Sequence, residues 1–237
     1  MHRLGHTRSS HKEDHLLQTP DTFVRAPLPG MRNATAIVHI GPARGAGFTQ
    51  YTAEFEANGA LGSASAQRFV YVLEGELKAA GKKLKAGGYA YLPANEPVTA
   101  ARKSRAAVIE KPYESVDGHM PPGVVTGDQA EVPGVPMAGG PGVTIQSLIP
   151  ADAAFDLAVN IMTFVPGAAL PLVEIPVLEH GLLMLDGGGI FRMGDCWYAS
   201  TAGDFVWFAP FCPQWFGAIG QKPARYLIYK DWNRHPL

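Results

Sequence analysis

The sequence has few cysteines, little excess charge and no long apolar run. Among its 237 residues only Cys196 and Cys212 are cysteines, too few for a disulfide scaffold, so a buried free thiol is expected for each. The formal net charge of −1 gives no electrostatic reason to expect nucleic acid or an anionic membrane as partner. No apolar run approaches the roughly 18 residues needed to span a bilayer, and the first residues lack the apolar core of a secretory signal. A cytoplasmic protein is therefore expected.

Long helix-forming runs of Ala, Glu, Leu and Lys are also missing. Short segments of Val, Ile, Phe and Tyr instead alternate with turn residues, and the chain contains 27 glycines and 20 prolines. This pattern predicts an all-β protein. In residues 47–56, Tyr51, Ala53 and Phe55 alternate with polar residues, which predicts one face in the core and the other in solvent. His39, in the apolar run 34–40, is expected to be a hydrogen-bonded core histidine.

Changes in composition divide the chain into four parts. Residues 1–18 are mostly polar and aperiodic, with four of the eight histidines, and a flexible arm is favoured over a metal-binding tail. Residues 112–142 are rich in proline and glycine, which predicts a linker. The linker separates an N-terminal barrel at 19–111 from a C-terminal barrel at 143–237. The Pro-rich stretch 19–30 is a candidate for contact with a second subunit.

The two halves repeat the same pattern of turns and apolar residues. Residues 71–75 match 183–187, 86–94 match the region from 202 to 209, and 107–111 match 226–230, which pairs Lys111 with Lys230. Each repeat of about 100 residues is long enough to close a small antiparallel β-barrel.

Residues 167–189 carry the chemistry of the second half. Glu174 and His180 occur within seven residues, between a Pro-Gly turn and three consecutive glycines. On a straight strand they would lie roughly 20 Å apart, so they can share an ion only if the chain reverses between them. The alternative is two barrel-mouth residues joined by hydrogen bonds.

Both halves have the spacing of glycines and candidate ligands that resembles the two cupin motifs. From about residue 20, the chain therefore resembles a bicupin, with two jelly-roll-type barrels. More narrowly, it is similar to the (S)-ureidoglycine aminohydrolase family of purine and allantoin degradation. The family pattern Glu-x-His-x-x-x-His corresponds to residues 174–180 (EIPVLEH), the family's later Gln corresponds to Gln214, and its C-terminal Tyr-x-x-x-Lys-Asp-x-Asn-Arg corresponds to residues 226–234.

The resemblance implies a metal site at Glu174, His180 and Gln214. Two oxygens and one nitrogen form a set that suits Mn²⁺ or Mg²⁺ better than zinc or copper. Pro176 stands where the family has its other histidine, so the expected cofactor is Mn²⁺, another divalent metal, or none. At the corresponding positions the first half has Gly62, Ala64, Arg68 and Thr99, which are not usual ligands, so a metal-free N-terminal barrel is expected.

The resemblance also implies substrate-side residues. Lys230 and Tyr226 correspond to catalytic positions that would hold the anionic end of the substrate, and Phe191 stands where the family places a tyrosine near the substrate. The alternative for Lys230 is a solvent-exposed pair with Asp231.

The expected function is metal-dependent hydrolysis that releases ammonia from a small ureido amino acid. Two alternatives remain: an enzyme acting on another small carboxylate, and a non-catalytic bicupin that binds such a metabolite with a degenerate metal site. The expected partners are a small-molecule substrate and other copies of this chain, in a homodimer or larger homo-oligomer.

Overall fold

The computed structural model describes residues 6–234 and confirms the all-β fold class. Within this range there are twenty strands and no α-helix, and no helix is long and apolar enough to cross a membrane. Single turns of 3-10 helix occur at Pro20–Thr22, Pro42–Arg44 and Gln129–Glu131. In chain order the strands are β1 (Ser10–His11), β2 (His15–Gln18), β3 (Arg32–Ile40), β4 (Thr49–Ala60), β5 (Gln67–Glu74), β6 (Glu76–Ala79), β7 (Lys82–Lys85), β8 (Gly88–Leu92), β9 (Val98–Ala100), β10 (Ser104–Lys111), β11 (Val125–Asp128), β12 (Val135–Pro136), β13 (Val143–Ser147), β14 (Leu157–Phe164), β15 (His180–Asp186), β16 (Gly188–Met193), β17 (Cys196–Thr201), β18 (Phe205–Phe208), β19 (Gln214–Ala218) and β20 (Ala224–Asp231).

The described residues form two compact units. The N-terminal unit comprises residues 24–132 and 148–156, and the C-terminal unit comprises 6–23, 133–147 and 157–234. These units differ from the predicted boundaries in three places: the N-terminal segment, the region 112–142 and the short segment 148–156.

The N-terminal unit is one antiparallel sheet in the order β11-β8-β5-β10-β4-β9-β6-β7, with β3 added to β4. On β4 the side chains of Tyr51, Ala53 and Phe55 are buried, which confirms the predicted inward face. Thr52, on the face predicted to be in solvent, is buried as well, and its hydroxyl lies 2.9 Å from His39 Nε2, which satisfies both polar groups. His39 is thus the hydrogen-bonded core histidine that the sequence predicts.

The C-terminal unit has an eight-stranded sheet in the order β1-β2-β18-β15-β20-β14-β13-β12 and a three-stranded sheet in the order β17-β16-β19. All strand pairs in both sheets are antiparallel. Aromatic rings fill the core of this unit: Phe216 and Tyr226 contact each other, and both contact Phe164 and Phe191. The strands β15, β19 and β20 carry the candidate site.

The described part of the segment predicted as a flexible arm contains β1 and β2. β2 pairs with β18 of the C-terminal unit, and Leu17 on β2 is 1% exposed. The guanidinium of Arg8 donates two hydrogen bonds, of 2.7 and 3.0 Å, to the fully buried carboxylate of Asp204. Such bidentate, charge-assisted pairs are directional, so they orient the segment as well as stabilise it. Residues 1–5 lie outside the described residues.

The region predicted as a linker also contributes strands. β11 pairs with β8 in the N-terminal unit, and β12 pairs with β13 in the C-terminal unit. The prolines and glycines of 112–142 therefore surround two short edge strands, where such residues are tolerated because one side of the strand needs no ladder hydrogen bonds.

Candidate active site

Glu174, His180 and Gln214 come together in the C-terminal unit. Glu174 lies in the loop between β14 and β15, and its backbone exchanges hydrogen bonds of 2.9 and 2.8 Å with Gln214 at the start of β19. His180 begins β15, opposite Lys230 on β20. The chain therefore turns between Glu174 and His180, which brings both side chains to Gln214.

The amide of Gln214 joins the other two side chains. Its nitrogen donates to Glu174 Oε2 at 3.2 Å, and its oxygen lies 3.1 Å from His180 Nδ1. A carboxylate only accepts hydrogen bonds, so the amide nitrogen must face Glu174 and the amide oxygen must face the imidazole. His180 Nδ1 is then the protonated nitrogen, and in the neutral ring Nε2 carries the lone pair.

Burial determines the charge states around this cluster. Burial lowers the pKa of His180 to about 4, the ammonium of Lys230 adds to the shift, and the hydrogen bond to Gln214 opposes it. Burial lowers the pKa of Lys230, while the carboxylate of Glu174 acts in the opposite direction. Burial also raises the pKa of Tyr226, with a further contribution from Glu174. At neutral pH the site therefore contains a neutral imidazole and a neutral phenol.

A cavity of about 60 Å³ adjoins the cluster. This is room for a few water molecules or a small polar ligand, well below the volume of a drug-sized pocket. All six side chains predicted for the site line it, together with eight others: Glu174, His180, Gln214, Phe191, Tyr226, Lys230, Met137, Ile145, Met162, Leu170, Leu182, Phe208, Trp215 and Ile228.

The aromatic wall of the cavity contains two of the predicted substrate-side residues. Phe191, on β16, is 2% exposed and packs against Phe216 with ring centroids 4.5 Å apart. Tyr226, on β20, directs its hydroxyl to the sulfur of Met162 at 3.3 Å. Phe191 therefore contributes only apolar surface, while Tyr226 has a polar atom in a mostly apolar environment.

Two neighbours of the site carried no signal in the sequence. Glu179, directly before His180, is buried. Its carboxylate accepts a hydrogen bond of 3.3 Å from the Trp207 indole, and its backbone carbonyl accepts one of 3.2 Å from the backbone N–H of Asp231. These contacts tie the residue before His180 to β18 and to the end of β20. Met162, on β14, contacts Tyr226. Its place in the alternation of the strand is that of an ordinary core residue, so the sequence does not mark it as part of the site.

The N-terminal unit has different chemistry at the related position. Arg68, on β5, lies opposite Glu110 on β10, as His180 lies opposite Lys230, so Glu110 and not Lys111 corresponds to Lys230. The pairing predicted from the repeat was therefore wrong by one residue. Arg68 and Glu110 form an ion pair of 2.7 Å at a cavity that Gly62 and Ala64 also line, whereas Thr99 lines a different groove.

Comparison with known proteins identifies the family. A scan against models of protein families found no match. The chain is 37% identical over 244 residues to the (S)-ureidoglycine aminohydrolase of Arabidopsis thaliana, covering 98% of this chain and 80% of that protein. It is 31% identical over 231 residues to the (S)-ureidoglycine aminohydrolase of Escherichia coli K12, covering 92% and 88%. The chain belongs to the (S)-ureidoglycine aminohydrolase family.

Solved structures support the fold of this family member over nearly all of the chain. Protein Ylba from E. coli superposes with a TM-score of 0.84 at 28% identity, covering 99% of this chain and 98% of that one. A mutant of Bacillus subtilis oxalate decarboxylase superposes with a TM-score of 0.70 at 11% identity, covering 97% and 80%, which is a likeness of fold alone. The predicted bicupin fold is confirmed.

Proposed function

We propose that this protein hydrolyses (S)-ureidoglycine and releases ammonia. The observation that carries the proposal is the meeting of Glu174, His180 and Gln214 at one small cavity that Lys230 also lines. The names of the two relatives support the choice of substrate. In this reaction water forms a new carbon–oxygen bond at the carbon that bears the amine, the carbon–nitrogen bond breaks, and the nitrogen leaves as ammonia.

The donor atoms fit a hard divalent cation, and we propose Mn²⁺. The Gln214 amide holds its oxygen beside His180 Nδ1 and its nitrogen beside the Glu174 carboxylate, so a cation that binds all three residues would replace these two hydrogen bonds and require the imidazole to offer an unprotonated nitrogen. Carboxylate, amide oxygen and imidazole together favour Mn²⁺ or Mg²⁺. When bound, the cation supplies Lewis-acid polarisation and a fixed orientation for the substrate. Because Pro176 provides no imidazole, three protein ligands remain and binding should be weaker than with four.

Lys230 is proposed to bind the carboxylate of the substrate. It lies opposite His180 in the β15–β20 ladder and lines the cavity. A cation in a site from which most water is excluded attracts a carboxylate more strongly than a surface lysine does. Since ureidoglycine combines a carboxylate with an amine and a ureido group, such an anchor would fix which end of the substrate faces the cluster.

Tyr226 and Phe191 are proposed to shape the rest of the substrate site. The phenol of Tyr226 is protonated at neutral pH, as an ordinary tyrosine is, and burial raises its pKa further, so it can donate a hydrogen bond to the substrate in place of its contact with Met162. Phe191 offers no hydrogen bond and excludes water from one wall. The small volume of the cavity supports a compact, polar substrate.

The protein is further proposed to act as a homodimer or larger assembly in the cytoplasm. Leu172, Ile175, Phe211 and Trp197 of the C-terminal unit are large, exposed apolar side chains, of the kind that oligomer contacts cover. Cys196 and Cys212 are both free thiols, which suits a reducing compartment.

The role of Lys230 is tested by substitution of one lysine at a time. Lys230→Met should lower kcat/KM for ureidoglycine by roughly 30- to 1,000-fold, the effect of removing one member of a buried charge pair. Lys222→Met is the matched control because Lys222 is exposed in the same unit, and it should leave the rate unchanged. Equal rates for the two variants would remove Lys230 from the proposal.

A further inference from the structure

A second group of potential metal ligands lies in the C-terminal unit, and the proposed reaction does not use it. Asp14 directly precedes β2, His15 is the first residue of β2, and Cys212 lies in the loop between β18 and β19. One ligand atom from each of the three residues lies within 4.8 Å of the others. The cluster thus joins two segments that are almost 200 residues apart in the chain.

The distances within the cluster suit a tetrahedral ion. His15 Nδ1 lies 2.8 Å from Asp14 Oδ1, and Cys212 Sγ lies 3.5 Å from Asp14 Oδ2. Ligand atoms around tetrahedral zinc are separated by roughly 3.3–3.6 Å, which follows from zinc–nitrogen and zinc–sulfur bonds of about 2.0 and 2.3 Å. These two contacts involve different oxygens of the Asp14 carboxylate, so one of the three side chains must shift for a single oxygen to share an ion with the imidazole and the thiol, whose ligand atoms lie within 4.8 Å of one another and of that carboxylate.

The surroundings of His15 resemble those of a metal-binding histidine. Its second ring nitrogen, Nε2, lies 2.9 Å from the hydroxyl of Tyr198, which in turn lies 3.2 Å from Ser10 Oγ. Such a partner on the far nitrogen fixes the orientation of the ring, and because a hydroxyl can donate or accept, it also serves the Nε2–H tautomer that a metal on Nδ1 requires. His15 and Cys212 are almost fully buried, so both donor groups are held in place.

The cluster is bordered by a glycine and is open to solvent at Asp14. Gly194, in the turn between β16 and β17, has φ of +58°, and a Cβ at this position would lie 3.1 Å from Asp14 Oδ2. A side chain there would therefore be strained and would crowd the carboxylate. The Asp14 side chain is 48% exposed, which gives an ion access from solvent and leaves a position for water.

We propose that Asp14, His15 and Cys212 bind a thiophilic divalent cation such as Zn²⁺, with water as the fourth ligand. A thiolate, an imidazole and a carboxylate form a set that zinc uses widely, whereas the cluster at Gln214 contains no sulfur. Binding displaces the thiol proton, which passes to solvent, and the imidazole proton moves from Nδ1 to Nε2, where the Tyr198 hydroxyl oxygen can accept it in a hydrogen bond. The ion would tie β2 to the loop that precedes Gln214, so its role is structural.

Titration of the metal-free full-length chain with Co²⁺ tests this site. Cobalt bound to a thiolate gives a sulfur-to-metal charge-transfer band, which a site made only of oxygen and nitrogen ligands cannot give. The wild type should show this band with one equivalent of Co²⁺, and Zn²⁺ should abolish it by displacement. No band in the wild type would overturn the proposal.

Substitutions then assign the band to its ligands. Cys212→Ser and His15→Ala should each remove or strongly weaken it, and Asp14→Asn, a change at a half-exposed side chain, should weaken Co²⁺ binding in a chain that folds normally. Cys196→Ser is the matched control, since it removes the other thiol of the chain and should leave the band unchanged. A band that survives Cys212→Ser, or that disappears with Cys196→Ser, would contradict the assignment. An unaltered Co²⁺ affinity in Asp14→Asn would do the same.

Discussion

Gln214 holds the candidate active site together, and replacement by methionine isolates what its amide contributes. Gln214→Met keeps a side chain of similar length but removes the hydrogen bonds to His180 Nδ1 and Glu174 Oε2. A buried donor that loses its partner costs about 1–3 kcal/mol, and His180 is only 4% exposed. Glu174 is partly exposed, so water can replace its lost bond. The free energy of unfolding should therefore fall by about 1–3 kcal/mol, as measured by urea denaturation.

Gln50→Met makes the same substitution at another buried glutamine, where the free energy of unfolding is not expected to fall. Gln50 is fully buried on β4, and among residues 6–234 neither its amide nitrogen nor its amide oxygen has a hydrogen-bond partner. Burying an unpaired amide costs about 1–3 kcal/mol, so Gln50→Met should leave stability unchanged or raise it by up to that amount. Stability losses of equal size in the two variants would refute the argument.

The same pair of variants tests the metal site. Gln214→Met should weaken Mn²⁺ binding by at least about 10-fold, since even the loss of a group outside the ligand set costs that much. Gln50→Met should bind Mn²⁺ as the wild type does. Isothermal titration measures both affinities, and unchanged Mn²⁺ affinity in Gln214→Met would exclude the amide as a ligand.

Two further predictions concern the N-terminal unit. Asp156→Ala should lower the free energy of unfolding by about 3–5 kcal/mol, because the fully buried carboxylate holds the ammonium of Lys111 at 2.9 Å. The double variant Asp156→Leu/Lys111→Met should lose clearly less unfolding free energy than Asp156→Ala, and an equal loss in the two variants would contradict the pairing. Burial lowers the pKa of His39 to about 3, so the unfolded chain takes up a proton below about pH 6.5 that the folded chain refuses. The free energy of unfolding should therefore fall as the pH falls from about 6.5 towards 3. Measured by urea unfolding, the decrease between about pH 7.5 and about pH 5 should be about 2 kcal/mol smaller in His39→Gln than in the wild type. The same loss in both proteins would refute this reasoning.

The sequence was informative about the fold wherever local pattern and tertiary packing agree. Alternation along β4 identified the inward positions of Tyr51, Ala53 and Phe55, and the turn residues separated most strands. The four residues of β2 are too few for a periodic signal, and their order depends on pairing with β18 and on the Arg8–Asp204 pair. Such distant partners leave no local trace in the sequence.

The candidate site was predictable in membership but not in geometry. All six residues chosen from the motifs line one cavity, and the roles assigned to them remain predictions. Spacing alone left open whether Glu174 and His180 could meet, because that depends on the loop before β15. The alignment of the two repeats was wrong by one residue at this strand, because nothing in the local pattern distinguishes Glu110 from Lys111 as the counterpart of Lys230.

Ammonia release from freshly generated (S)-ureidoglycine is the most direct test of the central claim. The Mn²⁺-loaded protein should release ammonia at a rate that saturates with substrate, and Glu174→Gln should reduce kcat/KM strongly because it removes a charged ligand from the cluster. A wild-type rate no higher than the background in Mn²⁺ alone, or an unchanged rate in Glu174→Gln, would contradict the account.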